Sequence, residues 1–220
     1  MEDYSNPDNN IEVVLYPTSL SNFRVRFFIS RLANLFPGTH IEMRNKDSKV
    51  VKLGIGYLSG LQELEEFGSC DGEAINTIVA GPEAHIAVEA LHEAFSAMTA
   101  NEMRMIHYKY LKRAWLKGQE DDENLRTFNE ICVKTRMLAD TEGIHMRPAM
   151  MLVNQSNKFE SLILVGCRDD PILANGKSIM EMSFLCLTYG TECEIRTFGP
   201  DAIPAAEQLE RMLREDLWRE

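Results

Sequence analysis

Hydrophobic and polar positions change period repeatedly along the chain, and the changes mark out elements. In "EICVKTRML", Ile131, Val133 and Met137 fall on one side of a two-residue alternation, with Lys134 and Arg136 on the other. That predicts a half-buried strand. "DTEG" reads as a turn. "AMMLVNQSNKF" reads as a helix with Pro148 in its first turn, where a missing N–H costs nothing. "ESLILVGC" is an apolar strand, "RDDP" a turn and "ILANG" a short strand. "KSIMEMSFLCLTYG" predicts a second helix, with Ser178 as N-cap and Gly190 closing it. "ECEIRTF" alternates again. "GPDAIPAAEQLERMLREDL" closes as an amphipathic helix, with Ile203, Ala206, Leu209, Met212 and Leu213 near helical spacing. The predicted order is β-α-β-β-α-β-α.

The first half yields the same order. "IEVVLYPT" is a strand, and "LSNFRVRFFISRLANLF" is a helix capped within "SLSN". "HIEMRN" and "KVVKLG" are strands, "IGYLSGLQELEEFG" is at least partly helical, and "EAINTIVAG" is a strand. "PEAHIAVEALHEAFSAM" is a helix with Pro82 at its start. "GPEAHIAVEALHEAF" aligns with "GPDAIPAAEQLERML", and "YPTSLSN" with "ADTEGIHM". The chain therefore reads as a tandem repeat of one α+β unit. The expected domains are 12–98 and 130–217. A helical connector is expected at 99–129, where glycine, serine and proline are too sparse for a flexible linker.

Composition narrows the function classes. The formal net charge is −11, and both halves are acidic, so neither carries a nucleic-acid footprint. The basic run "YKYLKRAWLK" reads as a solvated helix better than as an RNA-binding patch. No segment approaches the ~18–20 consecutive apolar residues of a membrane span. The polar start "MEDYSNPDNN" lacks the features of a secretory signal. Five scattered cysteines, with no CxxC pair, fit thiols in a reducing cytoplasm. No cofactor or metal is expected. His85, Glu89 and His92 share one helix face but lack a further ligand for zinc.

Candidate chemistry concentrates in "TEGIHMRPAM", residues 141–150. His145 stands between a glycine-bearing turn and an Arg-Pro pair, at the predicted opening of a helix. Imidazole is a nucleophile with a lone pair available near neutral pH. A helix N-terminus and the guanidinium of Arg147 both favour a phosphoryl group placed there. "GIHMRPA" (143–149) and "NGKSIMEMSFL" (175–185) together resemble the two signature blocks of the HPr family, the histidine phosphocarriers of the phosphoenolpyruvate-dependent phosphotransferase system.

The resemblance covers about residues 130–217. It implies an open-faced β-sandwich, a four-stranded antiparallel sheet with three helices on one side. It also implies His145 as the residue that carries phosphate, on Nδ1, a choice of nitrogen the sequence itself leaves open. Arg147 would assist, and Gly143 and Pro148 would support the motif. Ser178 would be a regulatory phosphosite, and Ile179 and Met180 a partner-docking patch. The implied partners are an Enzyme I-like phosphoryl donor, a downstream permease component or regulatory protein, and an HPr serine kinase. A homodimer is a further candidate. The protein would be a covalent relay without independent turnover.

Glu181 departs from the family, standing where many members have glycine. The rival reading is a regulatory interaction protein whose target binding is switched by phosphorylation at His145 or Ser178. In the first unit the alignment puts Ser21 in the histidine slot, Phe23 and Arg24 in the arginine and proline slots, and Gly54 in the serine slot. That unit reads as a degenerate copy.

Overall fold

The computed structural model describes residues 10–54, 57–68, 70–119, 128–137, 143–168, 170–185 and 187–215. The turn expected in "DTEG" lies outside these but for Gly143. The chain divides into two compact units, Met1–Ala114 and Trp115–Glu220.

The first unit runs β1 (Asn10–Leu15), α1 (Phe23–Ala33), β2 (His40–Arg44), β3 (Val50–Leu53), α2 (Tyr57–Phe67), β4 (Ile75–Ala80), α3 (Ala84–Ser96) and α4 (Ala100–Lys117), the last extending just past its boundary. The second runs β5 (Asn129–Arg136), α5 (Met146–Ser156), β6 (Leu162–Cys167), β7 (Leu173–Asn175), α6 (Ile179–Phe184), β8 (Glu192–Gly199) and α7 (Ala202–Arg214). Each unit holds one four-stranded sheet, ordered β1-β4-β2-β3 and β5-β8-β6-β7, with every pairing antiparallel. The α+β class and the repeated β-α-β-β-α-β-α order are therefore those read from the sequence.

Alternation in the strands decides which face is buried. In the second unit Val133, Ile163, Val165, Ala174, Cys193 and Ile195 share one sheet face. They meet Ala149, Leu152 and Val153 of α5, Met182 of α6, and Leu209, Met212 and Leu213 of α7 in one core. On the opposite face Trp115, Phe128 and Phe198 meet edge to face, with centroids 5.6–5.8 Å apart. Edge-to-face geometry sets the positive ring edge against a negative ring face, so the aromatic group covers part of the sheet's outer side.

Two sequence readings are corrected here. The helix expected over "KSIMEMSFLCLTYG" ends at Phe184, with Leu185 as C-cap. Leu185 and Leu187 are both buried, a spacing of two that a helix does not place on one face. Gly190 instead sits in the following turn at φ +81°. In α7 the buried stripe is Ala202, Ala205, Ala206, Leu209, Met212 and Leu213. Ile203 falls one position off that stripe and is 45% exposed.

The aligned "GP" dipeptides have the same job in both repeats. Gly81 follows β4 and Gly199 ends β8, at φ +135° and +144°, a region that L side chains rarely adopt. A Cβ at Gly81 would come 2.8 Å from the Cα of Thr39, and one at Gly199 2.7 Å from the Cα of Ser161. Pro82 and Pro200 follow, just before the helix caps Glu83 and Asp201.

Helix α4 lays Met103, Arg104, His107, Tyr108 and Tyr110 into buried positions. His107 meets Phe28 edge-on at 5.7 Å, and Tyr110 meets Phe36 the same way at 5.7 Å. Lys109 pairs with Glu89 and Glu93, and Arg113 with Glu83. The run expected as a solvated helix thus buries one face, and Tyr108 and Tyr110 pack into the first unit and are not available to bind RNA.

Burial, and next the nearby charge of Arg31, hold the His107 imidazole well below its ordinary pKa. The unfolded chain then takes up a proton on this residue below about pH 6.5, while the folded chain does not. His107 therefore contributes stability above that pH and loses it as the pH falls towards the folded-state value. We expect chemical denaturation of the first unit to show a loss of up to about 1.4 kcal/mol per pH unit from this group between about pH 6.5 and 5. His107→Phe should flatten that slope.

Candidate functional site

The site is set at the opening of α5. Gly143 adopts φ +83°, and the Ile144 N–H donates to the Leu187 carbonyl at 2.7 Å. That bond ties the approach to α5 onto the loop that precedes β8. The chain then turns into the helix, with His145 as the N-cap residue in extended geometry (φ −98°, ψ −172°). The His145 carbonyl accepts from the Ala149 N–H at 3.0 Å and so closes the first turn.

The His145 side chain makes no capping hydrogen bond to the helix and is exposed. Arg147 is exposed two residues on, while Pro148 and Ala149 are buried. Pro148 is thus an anchor of the first turn against the core. An α-helix begins with N–H groups that have no intrahelical partner and with positive dipole. Imidazole and guanidinium therefore project to solvent where the backbone itself favours an anion.

Ser178, the cap of α6, is half-buried. Its Oγ accepts from the Glu181 N–H at 3.4 Å, and the Glu181 carboxylate accepts from the Asn175 N–H at 2.6 Å. The serine caps the helix while the acid reaches back past the cap and holds the end of β7. Glu181, the departure from the family pattern, is therefore part of the local scaffold of α6. Helix α6 has only six residues, so its cap matters. We expect Ser178→Ala to lower the stability of the second unit by about 1 kcal/mol and Ser178→Asp to keep most of it, measured by urea denaturation.

Helices α5 and α6 pack against each other and leave apolar side chains in solvent. Ile179 is 36% and Met180 43% exposed, as are Met146, Met150 and Phe184 by comparable or larger amounts. A cluster of exposed apolar residues on neighbouring elements is characteristic of a protein-binding surface. The sequence points to Ile179 and Met180 but not to Met150 and Phe184, which are exposed as well. Their positions four residues after Met146 and Met180, on the same helix faces, carried the signal.

The structure shifts the expected alignment of the first unit by one residue. Helices α1 and α5 both span eleven residues, and their caps are Asn22 and His145. Asn22, not Ser21, occupies the histidine position, and Arg24 stands level with Arg147. Asn22 Oδ1 accepts from the Arg24 N–H at 2.8 Å, so its side chain closes the helix mouth that His145 leaves uncapped. Ser21 instead donates its hydroxyl and backbone N–H to Asp71.

Gly54 does not match Ser178 either. It precedes α2 by three residues, whereas Ser178 directly precedes α6. Residues 55 and 56, which directly precede α2, are isoleucine and glycine and carry no hydroxyl. Among the described residues no group of three or more histidine, cysteine, aspartate or glutamate side chains is placed to hold a metal ion. None of their helices is long and apolar enough to cross a membrane.

Comparison with known proteins places the second unit. Residues 134–215 match the family model described as the PTS HPr component phosphorylation site. The phosphocarrier protein HPr of Treponema pallidum is 34% identical over 82 residues, 37% of this chain and 91% of that protein. The HPr-like protein Crh of Bacillus subtilis is 32% identical over 75 residues, 34% of this chain and 86% of that protein. The crystal structure of the HPr of Bacillus anthracis strain Ames aligns at 27% identity over 38% of this chain and 96% of its own, with a TM-score of 0.36.

The family match over 134–215 and the 34% identity over nearly the whole of a known carrier define the second unit as a phosphocarrier domain of the phosphotransferase-system type. The chain belongs to the HPr family, with its matched domain in the second half.

Proposed function

We propose that His145 accepts a phosphoryl group from an Enzyme I-like protein and passes it to a downstream acceptor of a phosphotransferase system. The observation that carries this reading is the exposed imidazole at the cap of α5, within the family-matched segment. A neutral ring nitrogen attacks the phosphorus of the phosphorylated donor, and the bond from phosphorus to the donor breaks as the new P–N bond forms. The opening of α5 and the Arg147 guanidinium then face the transferred group with positive charge. Such support stabilises the phosphoramidate without binding it irreversibly, as a relay requires. Ile179 and Met180 supply apolar contact to the donor and acceptor in turn, and Gly143 and Pro148 hold the motif in shape.

On this reading the protein works in the cytoplasm, needs no cofactor and has no turnover of its own. The acceptor is a permease component or a regulator. Residues 12–98, whose cap position holds Asn22, have an adaptor role, with 99–129 joining them to the carrier domain at 130–217. Incubation with phosphoenolpyruvate and Enzyme I tests the relay. Acid-labile, alkali-stable phosphate in the 143–153 region supports it, and absence of transfer at equimolar donor refutes it.

A second reading is favoured by Glu181, whose fixed negative charge lies in the first turn of α6. Here the protein is a regulatory binder, and phosphorylation at His145 or Ser178 switches its affinity for a target. A phosphate on Ser178 would add about −2 charge close to that carboxylate, so an HPr serine kinase would meet a surface that is already acidic. Binding of a target that changes on phosphorylation, without onward transfer, distinguishes this reading from the relay.

A further inference from the structure

We propose that Cys167 and Cys193 form a disulfide site, a cross-strand dithiol that a low-molecular-weight disulfide such as oxidised glutathione converts into an intramolecular bond. This inference stands apart from the phosphoryl chemistry and does not depend on it.

The two residues are direct partners in the β6–β8 register. The Arg168 N–H donates to the Glu192 carbonyl at 3.1 Å, which makes the neighbouring 168/192 pair a hydrogen-bonded one. Bonded and non-bonded pairs alternate in an antiparallel ladder, so 167/193 is a non-bonded pair, the kind with Cα atoms only about 4.5 Å apart. That lies within the span of about 4.4–6.8 Å that disulfides bridge. Directly opposed residues also point to the same sheet face, here the core face. Cys193 belongs to the core of the second unit, and Cys167 packs against it half-buried. No disulfide joins them in the structure.

The environments assign an order of events. Burial first, and then neighbouring Cys167, push the Cys193 thiol up to about 12, so Cys193 is not the group that attacks first. The better exposed Cys167 attacks one sulfur of oxidised glutathione as its thiolate. A mixed disulfide forms, and one glutathione leaves. Cys193 then attacks the Cys167 sulfur, and the second glutathione leaves as a thiolate that takes up the Cys193 proton. Two protein thiols are oxidised, and one glutathione disulfide is reduced to two thiols.

The closed ring spans 167–193 and so contains β7, α6 and the Leu187 carbonyl that holds Ile144. Because the strands are already in register, the bond needs little rearrangement and restricts mainly the unfolded chain.

Cys132 is a competing thiol that the test removes. It is exposed on β5, and its partner across the ladder is Arg196. The test treats the full chain carrying Cys132→Ser with oxidised glutathione, then combines non-reducing proteolysis and mass spectrometry with thermal unfolding. The expected result is a linked peptide pair containing Cys167 and Cys193, with a Tm rise on the order of 10 °C that dithiothreitol reverses. In a Cys193→Ala variant of the same chain, a single glutathione should accumulate on Cys167. Recovery of both residues as thiols after prolonged treatment, or a linked product with unchanged or lower Tm, overturns the proposal.

Discussion

Replacing His145 by alanine is expected to abolish acid-labile phosphorylation by phosphoenolpyruvate and Enzyme I while leaving the fold intact. The two halves of this prediction have separate grounds. The imidazole is the nucleophile of the proposed transfer, and alanine offers no lone pair in its place. The same side chain contributes no capping hydrogen bond and is exposed. Its removal should therefore cost no more than about 0.5 kcal/mol, the usual scale for surface substitutions. Thermal unfolding and far-UV circular dichroism should be close to those of the parent, with Tm within about 3 °C. Residual phosphate that is acid-stable would point to a hydroxyl, Ser178 or Ser21, and would move the chemistry away from the relay. Undiminished acid-labile phosphate would place it on another histidine and end the present assignment.

What the sequence made legible, and what it hid, follows from the range of the forces involved. Alternation and helical spacing are local, so the repeated element order, the two sheets and the caps Ser178 and His145 could all be read directly. The capping slot of the first unit could not. Choosing Ser21 over Asn22 required knowing where α1 begins, and either residue can cap a helix. Only the matched lengths of α1 and α5 settle it.

The early end of α6 was hidden for a different reason. "FLCL" is apolar enough for a helix or for an extended segment. The Leu187 carbonyl is drawn to the Ile144 N–H, a contact more than forty residues away. The role of Glu181 depends likewise on a backbone N–H six residues earlier, at Asn175, where the sequence showed only a charge in an unusual place. The pairing of Cys167 with Cys193 is a matter of strand register. No spacing rule connects two cysteines separated by a strand, a helix and two turns.

The same long-range contact makes Gly143→Ala a strongly damaging single-methyl change beside the histidine. The backbone there holds φ +83°, which costs a non-glycine residue about 1–3 kcal/mol. The added Cβ would also run into the Leu187 carbonyl oxygen and come 2.9 Å from the Thr188 Cα. Both obstacles are backbone, so no side chain can swing away to relieve them. The segment at 143–144 must separate from the 187–191 loop, and the Ile144–Leu187 hydrogen bond opens.

We expect a loss of about 2–4 kcal/mol in denaturant unfolding of the second unit. Because His145 directly follows this bond, phosphoryl transfer should also slow by about 10–100-fold under conditions where the variant is fully folded. Gly190→Ala provides the comparison. Its φ of +81° is nearly the same, but no atom lies within 4 Å of the added Cβ. It should carry the conformational cost alone, about 1–3 kcal/mol, with transfer unaffected. Equal effects from the two substitutions would mean that backbone conformation, and not the contact with Leu187, positions the histidine.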